Sequence, residues 1–392
     1  MPSGTRGESK LKIAYLVHDL LDPAVHRRVR MLKIGGAGLV VIGFRRSTAA
    51  PKSIEGCETI DLGETRDGAL LARIGSIASV MRRLQTFEGP LRDCQVVLAR
   101  NLEMLYLAVN ARRRYASGAA LIFECLDIHR LLLGKGLPSR LLRSLEARLM
   151  QDVNLVLTSS PRFVTEYFAP RHVSPPIQIV ENKVLIVDQG ATVRSGQMQR
   201  IAGPPWRLGW FGMIRCRRSF EILSSVARDA GGALEVKIAG RPSPKEFPDF
   251  EALLARSPHV TFTGPYRSDD LPALYGDVHF SWAVDFFEQG LNSSWLLPNR
   301  VYESTLFGAV PIAVDGVETA RWLNDRGVGV RLDGDPSAAL REVLQRLTAS
   351  EYRDMADAVR NIPSPDLVDT GDSCHRLVRT FQSLGAHAEM RS

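Results

Sequence analysis

Cysteine is scarce and scattered: five residues, Cys57, Cys94, Cys125, Cys216 and Cys374, no two of them at C-x-x-C spacing. An odd and dispersed set excludes a disulfide framework and a thiolate zinc site, so a reducing cytoplasm is the expected setting. Long apolar runs are missing as well. Charges interrupt every stretch well short of the ~20 residues that span a bilayer. The N-terminal MPSGTRGESK is charged and has no apolar region of signal-peptide length behind it. Several site signatures are absent too. There is no G-x-x-x-x-G-K-[ST] phosphate loop, no G-x-G-x-x-G after a first strand, and no G-x-S-x-G nucleophile elbow. These absences weigh against a P-loop nucleotidase, a nicotinamide or flavin enzyme, and a serine hydrolase. Nor does any nucleic-acid reader motif or aromatic-rich basic strand occur, so no nucleic acid is expected as partner.

What is present is a chain of 392 residues, enough for two domains, with 45% apolar and 24% charged residues as in ordinary soluble proteins. The net charge of +7 is unevenly spread. Residues 1–180 carry 26 Lys+Arg against 16 Asp+Glu, whereas residues 181–392 carry 24 against 27. A first half at +10 points to an anionic partner, whether membrane, lipid diphosphate or nucleic acid; an arginine-rich proteome is the alternative source.

Strand and helix patterns alternate along the whole length. Strands are expected at 11–17, 39–44, 96–100, 120–125, 155–159 and 177–180, with helices from Pro23 to about Ile34 and at 70–86, 102–115, 138–151 and 161–168. Residues 183–205 fall in apolar density and gain Gly and Pro, which marks a linker. The rhythm then restarts with strands at 207–212, 234–240, 259–264, 278–284, 309–314 and 327–332, followed by helices at 336–348 and 350–361. The fold class is therefore α/β: two consecutive Rossmann-like, doubly wound parallel-sheet domains facing each other across a cleft. The domains are placed at 1–182 and 206–370. The tail from 371 to 392 is expected to be helical and to pack back on the first domain.

Polar residues cluster just after strands, where ligands of such sheets sit. The first half offers Asp22, His26 and Arg27 after its first strand, Arg100 and Asn101 after 96–100, and Asp127 and His129 after 120–125. An Asp or His in that position also serves simply to cap the next helix. In the second half, WFGMIRCRRS places Gly212, Arg215, Arg217 and Arg218 before a helix expected to begin near Ser219, a diphosphate-binding arrangement. The stretch from Gly290 to Pro311 sets Asn292, Asn299, Arg300 and Glu303 before a helix stop at Gly308. There a carboxylate accepts from ribose or sugar hydroxyls, and amide and guanidinium groups donate to anionic oxygens. Asp333-Gly334-Asp335 matches a metal-holding D-x-D, but its place after a strand and before Pro336 reads as a turn and helix start.

Taken in order, KIAYLVHD with HRRVRML, VVLARN, IFECLDIHR, VLTSS, VEN, WFGMIRCRRS, VTFTGPY and LPNRVYESTLFGAVPIAV resemble the GT-B glycosyltransferases. The resemblance is closest to the exopolysaccharide and surface-polysaccharide members of glycosyltransferase family 4, and it covers nearly the whole chain. It implies a hexosyltransferase-type enzyme. The acceptor (Asp22, His26, Arg27, Arg100, Asn101) is bound by the first domain and a nucleotide sugar, a UDP-sugar by family precedent, by the second. It also implies that Arg215 and Arg218 neutralise the donor diphosphate, so that no metal or other cofactor is required. Glu303 matches the second glutamate of an E-x7-E motif and is expected to hold the ribose. The first glutamate of that motif falls on Trp295, and Asn292, Asn299 and Arg300 are candidates to replace its contact with the donor sugar. A family histidine near 125 has no secure match, which leaves Asp127 and His129 as catalytic candidates. Retention by front-face transfer is implied; an inverting reaction instead draws its base from Asp127, His129, Asp22 or His26.

The resemblance gives the basic first half a purpose: a polyprenyl-diphosphate-linked acceptor places it against the anionic cytoplasmic membrane face. The helices 70–84 and 138–150 mix Leu, Ile and Met with Arg as interfacial helices do, although each also reads as a helix packed on its sheet. Two other functions fit the architecture. A nucleotide-sugar epimerase needs no lipid acceptor, and a non-catalytic sugar-binding protein of periplasmic type needs a signal peptide.

Overall fold

The computed structural model describes residues 10–65, 70–187 and 201–389. They form two units. The first takes in the chain up to Ser159, Val164–Val180 and the chain from Asp369; the second takes in Ser160–Phe163 and Glu181–Val368.

In chain order the first unit runs β1 (Lys12–Val17), α1 (Pro23–Ile34), β2 (Gly38–Arg45), β3 (Ser53–Ile54), β4 (Cys57–Glu64), α2 (Leu70–Arg82), α3 (Glu88–Leu91) and β5 (Val96–Arg100). It continues with α4 (Leu102–Tyr115), β6 (Ala120–Cys125), α5 (Arg130–Leu133), α6 (Leu137–Met150), β7 (Leu155–Thr158) and β8 (Ile177–Ile179); the short turn α7 (Pro161–Phe163), which falls between the last two in sequence, belongs to the second unit. The sheet order is β3-β4-β2-β1-β5-β6-β7-β8. Every pair is parallel except β3 with β4. The central strands β5 and β6 are buried at every position, which is why they read as apolar runs interrupted only by Arg100 and Glu124.

Two features of this unit depart from the expectation. Strand β4 was not anticipated: its sequence CETIDLGE alternates buried and exposed positions near the sheet edge, so its acids interrupt the apolar pattern. It is joined to β3 through Glu55 and Gly56, both at positive φ, as a two-residue hairpin turn requires. The expected helix 161–168 is α-helical only over Pro161–Phe163 and passes into a π turn over Val164–Phe168, where Tyr167 and Phe168 are both buried.

The second unit opens with the short strand β9 (Val184–Leu185), inside the stretch read as a linker; residues 188–200 of that stretch lie outside the described residues. It continues β10 (Trp206–Ile214), α8 (Arg217–Asp229), β11 (Leu234–Pro242), α9 (Phe250–Ala255), β12 (Val260–Phe262), α10 (Leu271–Gly276), β13 (Phe280–Trp282), α11 (Asn292–Trp295) and α12 (Asn299–Leu306). Then come β14 (Val310–Val314), α13 (Glu318–Arg326), β15 (Val330–Leu332), α14 (Pro336–Arg346), α15 (Ala349–Arg360) and α16 (Ser364–Leu367). Its six strands pair in the order β12-β11-β10-β13-β14-β15, all parallel. The order reverses at β10 and β13, the place where open α/β sheets bind ligands. Trp206, Trp210, Trp282 and Tyr302 are fully buried in its core.

The chain then returns to the first unit as α17 (Gly371–Glu389), which packs on α1 and reaches β5 and β6. Arg27 of α1 meets Asp369 at 2.6 Å just before this helix. No described helix is long and apolar enough to cross a membrane.

The α1–α17 contact depends on Gly35. A Cβ there would lie 2.5 Å from the Cys374 carbonyl oxygen and 2.5 Å from Val378. Replacing Gly35→Ala is expected to displace α17 and cost about 1–3 kcal/mol. Urea unfolding reads this as a lowered midpoint; an unchanged midpoint would mean that the close approach does not hold the helix.

Candidate functional site

In the second unit the candidate residues gather at the carboxyl ends of β10, β11 and β13. Gly212, two residues before the end of β10, has φ +111°, and its partner in β11, Gly240, has φ +138°. A Cβ on Gly240 would sit 1.7 Å from the Gly212 carbonyl oxygen. Only glycine allows the two strand ends to come so close. The chain then enters α8, which begins at Arg217 rather than near Ser219, because Cys216 acts as N-cap and its Sγ accepts from the Ser219 N–H at 3.4 Å.

The loop 285–289 after β13 collects three of the expected residues. Arg215 pairs with the buried Asp285 at 3.0 Å and lies over the Phe287 ring. Arg218 donates to Gln289 at 2.7 Å and lies over Phe286. Asn292 donates to Glu288 at 2.5 Å. Arg217, the third arginine of the run, turns elsewhere, to Asp249 and Phe247. Two guanidiniums stacked on neighbouring rings of one short loop form a pre-oriented cationic pair suited to a diphosphate.

A second group surrounds Glu303, one turn into α12. The Tyr275 O–H donates to Glu303 Oε2 at 2.9 Å. Burial, and then the Glu303 charge, push the Tyr275 and Tyr266 phenols above their usual range, so both are neutral O–H groups at physiological pH. Arg300 donates to the Trp282 carbonyl at 3.1 Å, and Asn299 is exposed at the first position of the helix. The helix ends where expected, with Gly308 at φ +79° and the Ala309 N–H returning to Ser304 O at 2.8 Å. Trp295 meets Phe163 edge-on at 6.3 Å, so an aromatic contact stands where the family resemblance puts a carboxylate. The Asp333-Gly334-Asp335 run is a turn and a cap: Asp335 accepts from the Ala338 N–H at 2.8 Å at the start of α14.

In the first unit a buried charge cluster lies under the corresponding strand ends. Glu124 of β6 is fully buried and accepts from Arg28 at 2.7 Å, from Arg100 at 2.8 Å and from the Tyr15 O–H. Arg100 also reaches Asp22 at 3.3 Å and the Ala24 carbonyl at 3.2 Å. Asp22 in turn N-caps α1 through the Ala24 N–H at 2.9 Å and pairs with His18 at 3.5 Å. His26 Nε2 lies 3.0 Å from the Leu20 carbonyl oxygen. Asp22, Arg27 and Arg100 thus have protein partners, and Arg100 is buried.

Asn101, Asp127 and His129 are placed differently. Asn101 is only partly buried and has φ +70° and ψ 163°, a region that costs a non-glycine residue about 1–3 kcal/mol. Asp127 and His129 are exposed on the turn between β6 and α5, and His129 Nδ1 caps α5 at 3.3 Å from the Leu131 N–H. Sequence reading missed Glu124, Tyr15, Tyr275, Asp285 and Glu288. Only Glu124 carried a signal, as an acid inside an otherwise apolar strand.

No family model matches the sequence. The succinoglycan biosynthesis protein ExoL of Rhizobium meliloti (strain 1021) is 42% identical over 382 residues, covering 96% of this chain and 95% of that protein. Solved structures share the fold at much lower identity. Sucrose-phosphate synthase from Thermosynechococcus elongatus has a TM-score of 0.69 at 13% identity, covering 96% of this chain and 100% of that one. HepE from Anabaena, in complex with UDP and glucose, has a TM-score of 0.66 at 14% identity, with 95% and 99% covered. WaaG, a glycosyltransferase involved in lipopolysaccharide biosynthesis, has a TM-score of 0.60 at 13% identity, with 93% and 99% covered. The fold is the GT-B fold that the sequence implied.

The Glu124 cluster has a measurable signature. Burial alone raises a carboxyl, but Arg100 and Arg28 outweigh it and hold Glu124 at about 2, below its ordinary 4.5. The folded value is the lower one, so the stabilisation is complete above about pH 4.5 and is lost as pH falls toward 2. Glu124→Gln leaves two buried guanidiniums short of a counter-charge and is expected to cost about 3–5 kcal/mol in urea unfolding at pH 7. A cost below 1 kcal/mol would show the cluster to be dispensable.

Proposed function

We propose that this chain, which belongs to the family of the succinoglycan biosynthesis protein ExoL, is a glycosyltransferase of exopolysaccharide synthesis. It transfers a sugar from a UDP-sugar to a membrane-anchored, polyprenyl-diphosphate-linked saccharide at the cytoplasmic membrane face. The observation that carries this reading is the pairing of a cationic loop cluster, Arg215 and Arg218, with the Tyr275-held carboxylate of Glu303 at the switch point of one parallel sheet. The name of the relative and the UDP bound to HepE support it.

In this reading Glu303 accepts from the ribose hydroxyls, and the Tyr275 O–H fixes the orientation of its carboxylate. Arg215 and Arg218 neutralise the diphosphate as it leaves, and their stacking on Phe287 and Phe286 means little reorganisation is needed during reaction. The tight passage at Gly212 admits the donor close to the backbone. Glu288, Asn292, Asn299 and Arg300 meet the donor sugar, where Trp295 replaces the family glutamate. On the acceptor side, Asn101, Asp127 and His129 contact the incoming sugar, while Asp22, His26, Arg27 and Arg100 hold the strand-end loops in place. The transfer retains configuration: the acceptor hydroxyl attacks from the face that the diphosphate leaves, and a departing phosphate oxygen takes its proton. Arg215 and Arg218 supply the charge neutralisation that a metal ion supplies elsewhere.

A thermal-shift panel of UDP, GDP, CMP and ADP tests the donor assignment. UDP at a hundredfold excess over its Kd is expected to raise Tm by about 5–10 °C, and Glu303→Ala is expected to lose most of that rise. No shift with any nucleotide would contradict the transferase reading, and a UDP shift that survives Glu303→Ala would remove the ribose role alone.

A further inference from the structure

The first unit carries a groove that the proposed reaction does not use. It has a volume of about 490 Å³ and lies between α6 and the turn that leads into β8, with Arg140, Arg143, Ser144 and Glu146 on one wall and Arg171 and His172 on the other. Two of its three guanidiniums are anchored. Arg143 Nη1 donates to the carbonyls of Leu132 at 3.0 Å and Gly134 at 2.6 Å. Arg171 Nη1 donates to Tyr167 O at 2.7 Å, and its guanidinium lies 3.7 Å from the centre of the Tyr167 ring. Arg140 is exposed, and among the described residues its side chain has no hydrogen bond or ion pair. The single acid, Glu146, is buried and its carboxylate is engaged inward, accepting from the Tyr167 O–H at 2.6 Å.

The same helix exposes two large apolar side chains beside this groove. Leu137 is 67% exposed and Leu141 64%, among the largest exposures of any leucine described. Their spacing places them on one face with the exposed Ser144 and Arg148, adjoining the row that begins at Arg140. A free anion has no use for apolar neighbours, whereas a phosphate at a bilayer surface has its acyl chains directly beneath.

We propose that this groove is a docking site for the phosphate headgroup of an anionic phospholipid, with Leu137 and Leu141 entering the apolar layer beside it. Arg143 and Arg171 form the fixed floor of the site and Arg140 its adjustable arm. The inference rests on the membrane-linked acceptor proposed above for its purpose, and it names the surface that brings the enzyme to that acceptor.

Sedimentation of the full chain with vesicles of phosphatidylcholine, with and without 30% phosphatidylglycerol, tests it. Both sets of substitutions lie at exposed positions, and each variant is first checked for an unchanged Tm and an unchanged UDP shift. Wild type is expected to sediment with the anionic vesicles and to be released by high salt. Arg140→Glu is expected to weaken binding about tenfold or more. The double substitution Leu137→Ser/Leu141→Ser is expected to weaken it severalfold without altering charge. The proposal is overturned if wild type ignores anionic vesicles at low salt, if Arg140→Glu binds as wild type does, or if 10 mM inorganic phosphate stabilises the protein through Arg140 while vesicles do not bind. Because the UDP shift is read separately, loss of vesicle binding alone leaves the transferase reading standing.

Discussion

The carboxylate of Glu124 is the constraint around which the first unit is built. An ionised group with no solvent contact persists only where its charge and lone pairs are matched, and Arg28, Arg100 and Tyr15 supply that match from α1, β5 and β1. Satisfying one buried acid therefore ties three neighbouring strands and a helix together. The tie extends outward, since Arg100 reaches Asp22 and Asp22 caps α1. The loops that present Asn101, Asp127 and His129 start from elements fixed in this way. The same matching gives Arg100, an anion-ligand candidate by sequence, partners in Glu124, Asp22 and the Ala24 carbonyl.

The second unit is held together differently. Its strands are packed through large aromatic side chains, and its site is shaped by glycine and by ring faces. Gly240 lets β11 approach Gly212, and Phe286 and Phe287 carry the guanidiniums of Arg218 and Arg215. Where a charge does need orienting, a neutral phenol does it, as Tyr275 does for Glu303. A neutral O–H orients the carboxylate without adding a charge of its own.

Much of this was legible in the sequence, for identifiable reasons. Strands buried on both faces leave runs rich in apolar residues, so β5 and β6 were placed to the residue despite Arg100 and Glu124, and α1 was bounded by Pro23 and the Gly35–Gly36 pair. Strand β4 escaped because an alternating strand near a sheet edge looks like a polar loop. The π turn at Val164–Phe168 escaped because its residues keep a helical composition. At the site, residue types at strand ends were visible, but their pairings were not. Local chemistry does not distinguish Arg215 and Arg218, which lie over the rings of one loop, from Arg217, which turns to Asp249; the family resemblance alone singled out the pair. Long-range partners such as Asp285 for Arg215 or Tyr275 for Glu303 are properties of the fold, separated by 70 and 28 residues.

The proposed transfer of a sugar from a UDP-sugar to a lipid-linked saccharide rests on the tied first unit, on Arg215, Arg218 and Glu303 of the second and on membership of the ExoL family. The most direct measurement incubates the full chain with radiolabelled UDP-hexoses and membranes that carry the lipid-linked saccharide, then follows the label into the organic-extractable fraction. At least one UDP-hexose is expected to transfer its label to that fraction with release of one UDP per sugar. UDP-hexoses that bind the protein yet never pass label to lipid, or that return only as epimerised nucleotide sugars, would contradict it.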